Sequence, residues 1–197
     1  MSTPKDRLTR FLEHLDSIFQ VEPEFFPYEP ETPDAPKVVC MAYADIPEPG
    51  FVTGVTHGLS EVTHKEWKFG RPELIISVES ADLAWPQAIG YIANNLRGHC
   101  PFSYGDIINF QDTISDASDM TSFVVFAPAI LNREHFLDID VGGDQPLNIA
   151  GMYPIYETEA DVIGRVGLEK FWHHPNFDLF DVNRPPVEID DFADDED

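Results

Sequence analysis

Gly98-His99-Cys100 sets a thiol beside an imidazole, the two groups from which a thiolate nucleophile and its general base are made. Adjacent residues do not face one another by default, and no third side chain can be named to orient the pair, so a catalytic cysteine is not expected. Gly58-Leu59-Ser60 opens like the sharp turn that presents a serine nucleophile, but Val62 stands where the second glycine belongs. Seven histidines (His14, His57, His64, His99, His135, His173 and His174) contain no pair at the i, i+4 spacing that puts two imidazoles on one helix face. Asp138-Ile139-Asp140-Val141-Gly142-Gly143 starts like a calcium loop. Gly142 removes its third oxygen ligand, however, and Ile149 occupies the twelfth position, where a bidentate Glu is required. That segment reads as a tight turn. A glycine-rich phosphate loop and a dinucleotide fingerprint are both missing. No catalytic residue, metal or cofactor is expected, and the chain does not read as an enzyme.

Charge narrows the remaining classes. Twelve basic residues face 36 acidic ones, a formal net charge of −24. A nucleic-acid binder needs a basic surface, and an anionic membrane repels this one. A basic protein partner remains, or plain solubility. The segment from Gln111 to Met120 is polar and acidic between two apolar runs, so it is expected to lie outside the core. Its residues Gln111, Asp112, Asp116 and Asp119 are the candidate contacts to Lys or Arg of a partner.

The elements that would position this loop are legible in part. Leu8, Phe11, Leu12, Leu15 and Phe19 form one helical stripe, with Thr3 before Pro4 as its expected cap. Pro27, Pro30, Pro33 and Pro36 recur at the polyproline period, which predicts an extended connector over 23–36 or a ligand for an SH3-like domain. Lys37–Ala44, Phe51–Gly58 and Glu73–Glu79 have strand character. A helix is predicted from Trp85-Pro86, with Ala88, Ile89, Ile92, Ala93 and Leu96 on one face and Gly98 at its end. Further strands are expected at Ile107–Phe110, Ser122–Ala127 and Leu147–Tyr156. A closing helix is expected to be opened by Thr158 with Asp161, its inward face carrying Val162, Ile163, Val166 and Trp172. This order predicts an α+β fold: a mixed, largely antiparallel sheet with helices packed on it. One domain is expected over 1–182, with 183–197 a disordered acidic tail. Cys40 reads as a core residue, and a disulfide to Cys100 is not required by the spacing. With two cysteines, a mixed-charge N-terminus and no long apolar run, a cytoplasmic protein with neither signal peptide nor membrane span is expected.

One ordered set of short motifs spans most of the chain. It runs His57-Gly58-Leu59-Ser60, Arg71-Pro72-Glu73-Leu74-Ile75-Ile76-Ser77, Trp85-Pro86, Gly105-Asp106, Phe123-Val124-Val125-Phe126-Ala127-Pro128, and Pro154-Ile155-Tyr156 before Glu159 and Gly167. From about residue 37 to 172 this order resembles the suppressor of fused (SUFU) family. His57 departs from the pattern, standing where the family often has Tyr. Longer animal members carry a second lobe that this chain lacks, so their binding of a transcription-factor peptide between lobes is not implied. Bacterial single-domain members resemble immunity proteins of polymorphic toxins. The resemblance therefore implies a protein that binds and silences a toxin domain, or alternatively a regulatory binder of an endogenous partner.

Overall fold

In the computed structural model, which describes residues 6–30 and 35–195, the β-branched runs assemble into one seven-stranded sheet. Its strands are β1 (Glu24–Tyr28), β2 (Val38–Ala44), β3 (Val52–His57), β4 (Arg71–Val78), β5 (Ile107–Asn109), β6 (Ser122–Phe126) and β7 (Leu147–Ile155), in the order β1-β2-β3-β4-β7-β6-β5. All neighbours are antiparallel except β4 and β7, which run parallel with Arg71 opposite Leu147 and Ile75 opposite Gly151. The expected α+β class, mixed and largely antiparallel, is what forms.

Both faces of this sheet are covered. Helix α2 (Ala84–Leu96) lays Trp85, Ala88, Ile89, Ile92 and Ala93 on Val38, Leu74, Ile76, Phe123 and Val125. Its first turn comes so near β3 that a Cβ on Gly54 would sit 2.6 Å from the Pro86 Cβ and 2.9 Å from its Cα. On the opposite face, α1 (Arg7–Phe19) packs Phe11, Leu15 and Phe19 against Met41, Tyr43, Val55 and Ile149. Farther along that face, α4 (Glu157–Val166) and α5 (Leu168–Trp172) cover Val124, Tyr153 and Ile155. Being sandwiched explains why β4 and β7 are almost continuously buried rather than alternating. Cys40 is buried in the α2-side core, and neither cysteine is bonded to another. No helix among the described residues is long and apolar enough to cross a membrane.

Several expectations are corrected. The Pro-rich connector is partly a strand: β1 pairs with β2, Glu24 opposite Ala42 and Tyr28 opposite Val38. An edge strand tolerates Pro27 because one side of it needs no ladder donor; Pro33 lies outside the described residues. Thr3 and Pro4 also lie outside them, and α1 is capped by Asp6, whose Oδ1 accepts the Thr9 N–H at 2.8 Å. Helix α4 starts at Glu157, not Thr158, and Glu159 takes the place proposed for Asp161 by accepting the Tyr156 N–H at 2.9 Å. A short helix α3 (Arg133–Phe136) was not foreseen.

The expected disordered tail from 183 is corrected over its first part. Arg184 and Val187 are buried, the latter in the α4–α5 cluster, and a 3-10 turn covers Ile189–Asp195. The physical cause is a buried ion pair. Arg184 Nη1 and Nη2 donate to Glu159 Oε1 and Oε2 at 2.5 and 2.8 Å, and the Val187 N–H donates to Oε1 at 2.8 Å. The guanidinium also lies over the Phe177 ring at 4.7 Å and the Tyr156 ring at 5.6 Å.

Candidate functional site

The two fully buried carboxylates, Glu73 and Glu159, are occupied by structural work. Glu73 is fully buried, and its carboxylate accepts the Thr56 hydroxyl at 2.7 Å and the N–H groups of Gly58 and Ser60 at 2.8 and 3.0 Å. It therefore caps the 3-10 turn Leu59–Glu61, and Gly58, at φ +110, is the residue that bends the chain into it. The second buried carboxylate, Glu159, holds Arg184. Cys100 is half-buried; burial pushes its thiol up and the Asp106 carboxylate adds to that, the reverse of what an activated nucleophile needs. The turn that imitates a calcium loop is packed by arginines of α1. A side chain at Gly142 would meet the Arg10 guanidinium at 3.0 Å, and one at Gly143 the Arg7 guanidinium at 2.5 Å. No group of three or more His, Cys, Asp or Glu is arranged around a common point among the described residues.

The acidic segment after β5 is only half as expected. Ile114 and Met120 are buried in the α2-side core, so the segment is not wholly outside it. The apolar pair inside a polar run is the reason, and two serines fix it there. Ser115 Oγ donates to Asp82 Oδ2 at 2.6 Å, and Ser118 Oγ donates to the Val182 carbonyl at 2.5 Å. Gln111, Asp112, Asp116 and Asp119 all point to solvent. Gln111, in the left-handed region at φ +65, shares a shallow polar depression with Asp112, Asn109, Thr121 and Glu157, whereas Asp116 and Asp119 lie outside it. Burial raises the Tyr156 phenol, the Arg184 charge opposes this, and Glu159, Asp119 and Asp181 reinforce it, so Asp119 and Asp181 share one neighbourhood. The result is a rigidly stitched loop with outward carboxylates, next to an edge strand, β5, that has a partner on one side only.

A second surface was missed by sequence reasoning. A groove of about 470 Å³ opens where β6 leaves the sheet, floored by Asn148, Ile149 and Ala150 of β7 and walled by Phe102, Tyr104, Phe136 and the loop Glu66–Gly70. Asn148 ties the walls together: its Oδ1 accepts the Asp138 N–H at 2.8 Å and its Nδ2 reaches the Phe69 carbonyl at 3.5 Å. Trp67 Nε1 donates to the Pro101 carbonyl at 2.9 Å across the same cleft. Phe69 itself stands 86% exposed at the mouth. The only signal for it in the sequence was an aromatic set among charged residues in Lys65-Glu66-Trp67-Lys68-Phe69.

Comparison with known proteins agrees with this architecture. The family model described as suppressor of fused protein (SUFU) matches residues 32–185. A SUFU homolog from Neisseria gonorrhoeae FA 1090 superposes with a TM-score of 0.68 at 16% identity, covering 90% of this chain and 94% of that one. A chain of the Sufu-Fu complex gives 0.69 at 12% identity, covering 99% of both. Drosophila Suppressor of Fused gives 0.61 at 15% identity; there 96% of this chain covers 52% of that protein, about half its length. At these identities the likeness carries the fold. A search of curated protein sequences returned no match.

Proposed function

Because the chain belongs to the suppressor of fused family, we propose that it is a non-catalytic protein-binding module of the cytoplasm, an immunity protein that seizes and neutralises a basic toxin domain. The observation that carries this reading is the charge and where it is spent. Of a net −24, the two carboxylates that are fully buried, Glu73 and Glu159, are consumed in holding the fold, while Asp112, Asp116 and Asp119 are presented outward on a fixed loop. A surface of this sign suits masking a basic, nucleic-acid-binding face, and it argues against that same role for the chain itself. The loop centred on Gln111, Asp112, Asp116 and Asp119 is the contact site in this reading. The likeness in fold to a bacterial SUFU homolog supports this reading.

A second reading, a regulatory binder of an endogenous partner, is favoured by the likeness to the Sufu-Fu complex, in which the related chain is found with another protein. The experiment that tests the site is an affinity-captured partner titrated with the parent chain and with the triple variant Asp112→Asn, Asp116→Asn, Asp119→Asn at low and high salt. Charge steering acts mainly on the association rate and weakens with salt. The variant is expected to associate about tenfold or more slowly at low salt, the difference closing at high salt. Equal rates and equal salt slopes would remove the loop from the interface.

A further inference from the structure

Arg184 shows how this fold seats a guanidinium. It lies over the rings of Phe177 and Tyr156 while both of its terminal nitrogens bond the Glu159 carboxylate. Two ring faces and a carboxylate make the seat, and no other cation is stacked on a ring among the described residues. The same parts recur at the surface without a cation. A bowl of about 510 Å³ is lined by Phe126 at the end of β6 and by Leu168, Glu169, Trp172 and His173 of α5 and its C-cap. Phe126 and Trp172 come to 4.5 Å between ring centroids at an angle of 48°, so they form two adjoining walls rather than a flat stack. Trp172 is held by an edge contact with Tyr153 at 4.7 Å and by Phe177 at 5.6 Å, and Phe126 by Tyr104 at 5.3 Å.

The polar rim selects the occupant. Leu168 and Trp172, like Glu169 and His173, are four residues apart, so one side of α5 presents both pairs to the bowl. The His173 Nδ1–H donates to the Glu169 carbonyl at 2.8 Å, which leaves Nε2 of the neutral ring as an acceptor. The Glu169 carboxylate is exposed and holds no hydrogen bond or ion pair among the described residues. The cations nearest in the fold do not fill the bowl: Lys170 and Arg133 are not among its lining residues. An anion would meet this carboxylate and the negative faces of two rings, and an apolar group would leave both acceptors unused. A cation gains from every wall. Arginine fits better than lysine, since a planar guanidinium stacks on an indole while its fork meets a carboxylate. The position is also suitable. Leu168 lies by Gly105 at the entry to β5, 3.9 Å from where a Cβ on that glycine would stand, and Glu157 bonds Asn109 at the other end of the strand. Between them the half-exposed Ile107 is paired with Val124, on the face that α4 and α5 cover. The bowl and the polar depression at Gln111 and Asp112 thus lie along one strand edge, within roughly 20 Å of each other.

We propose that this bowl receives an arginine side chain of the partner protein, its guanidinium against Trp172 and Phe126 and its fork on Glu169. The inference rests on the reading of a basic protein partner. It shares no residue with the acidic loop and adds to long-range charge a specific seat for one side chain.

The test titrates the full, isotope-labelled chain with three end-blocked tripeptides, Gly-Arg-Gly, Gly-Lys-Gly and Gly-citrulline-Gly, and follows the Trp172 indole N–H by nuclear magnetic resonance. Trp67 and Trp85 are buried, so Trp172 is the indole that a solute meets. The arginine peptide is expected to give a saturable shift in the millimolar range, binding at least about threefold tighter than the lysine peptide and about tenfold or more tighter than the uncharged citrulline one. Lysine controls for attraction to a chain of net charge −24. Glu169→Gln is expected to weaken the arginine peptide about fivefold or more, and Glu169→Lys, which supplies a cation from within, to abolish its saturable shift. Position 169 is exposed, and circular dichroism checks that both variants keep the fold. Equal binding of the citrulline or lysine peptide, no saturable shift with any of the three, or titrations unmoved by Glu169→Gln would each overturn the proposal. The triple variant Asp112→Asn, Asp116→Asn, Asp119→Asn is expected to leave the arginine titration unchanged. Loss of the shift in that variant would put the arginine on the loop and overturn the bowl, while leaving the reading of a basic partner in place.

Discussion

Replacing Glu159 by Gln should unfasten the C-terminal segment from the domain. The carboxylate accepts four hydrogen bonds: Arg184 Nη1 and the Val187 N–H on Oε1, Arg184 Nη2 and the Tyr156 N–H on Oε2. An amide nitrogen in place of either oxygen sets a donor against two donors. It also leaves Arg184, only 3% exposed, as an uncompensated buried cation. Breaking a buried pair in this way costs roughly 3–5 kcal/mol, against a total stability on the order of 5–15 kcal/mol for a domain. With a urea slope of about 2 kcal/mol/M, the unfolding midpoint should fall by about 1.5–2.5 M. Adding Arg184→Met removes the orphaned cation and should recover part of the loss, a coupling of at least about 1 kcal/mol. Urea melts of the parent, both single variants and the double variant measure it. A loss below about 1 kcal/mol for Glu159→Gln, or strict additivity in the double variant, would refute the claim that this pair fastens Arg184 and Val187 to α4.

Ile92→Ala should cost about 2–5 kcal/mol in the same melts, since Ile92 is buried between α2 and the sheet. Gly54→Ala should cost roughly 1–3 kcal/mol by pushing α2 off β3 at Pro86; an unchanged midpoint would mean that the helix gives way freely. Burial raises the phenols of Tyr28, Tyr43 and Tyr153 above their ordinary range. The unfolded chain then loses these protons before the folded one does, so their contribution is complete below about pH 10 and declines as the pH rises beyond it. Melting temperature followed from pH 8 to 12 should fall steeply only above about pH 10, and a flat profile there would contradict the assigned burial.

Local pattern was enough wherever one element decides its own fate. The helical face of Ala88, Ile89, Ile92 and Ala93 and the β-branched runs of β2, β3, β4 and β7 are visible because burial imposes a period or an unbroken apolar run. Features set by distant partners were not visible. The proline period that begins at Pro27 speaks for polyproline, while the edge position that excuses Pro27 in β1 depends on β2. Seven acidic residues after Asn183 masked Val187 and Arg184, whose anchor lies 25 residues earlier in Glu159. The available clue was that Arg184 is the one Lys or Arg after Lys170. Gln111, Asp112, Asp116 and Asp119 are exposed, but Ile114 and Met120 of the same segment are inward because Ser115 and Ser118 fasten the loop to Asp82 and Val182. The groove over Ile149 draws on five separate stretches of chain, and no single one of them carries its pattern.

The central claim, neutralisation of a basic protein by an acidic binding module, is tested most directly by a growth-rescue measurement. The basic domain of the captured partner is expressed in a sensitive host with and without this chain. The account predicts arrested growth from the partner alone, restored growth on co-expression, and a complex that co-purifies at low salt and comes apart as salt is raised. A partner that is harmless on its own, or one whose toxicity persists while the two proteins are bound, would contradict it.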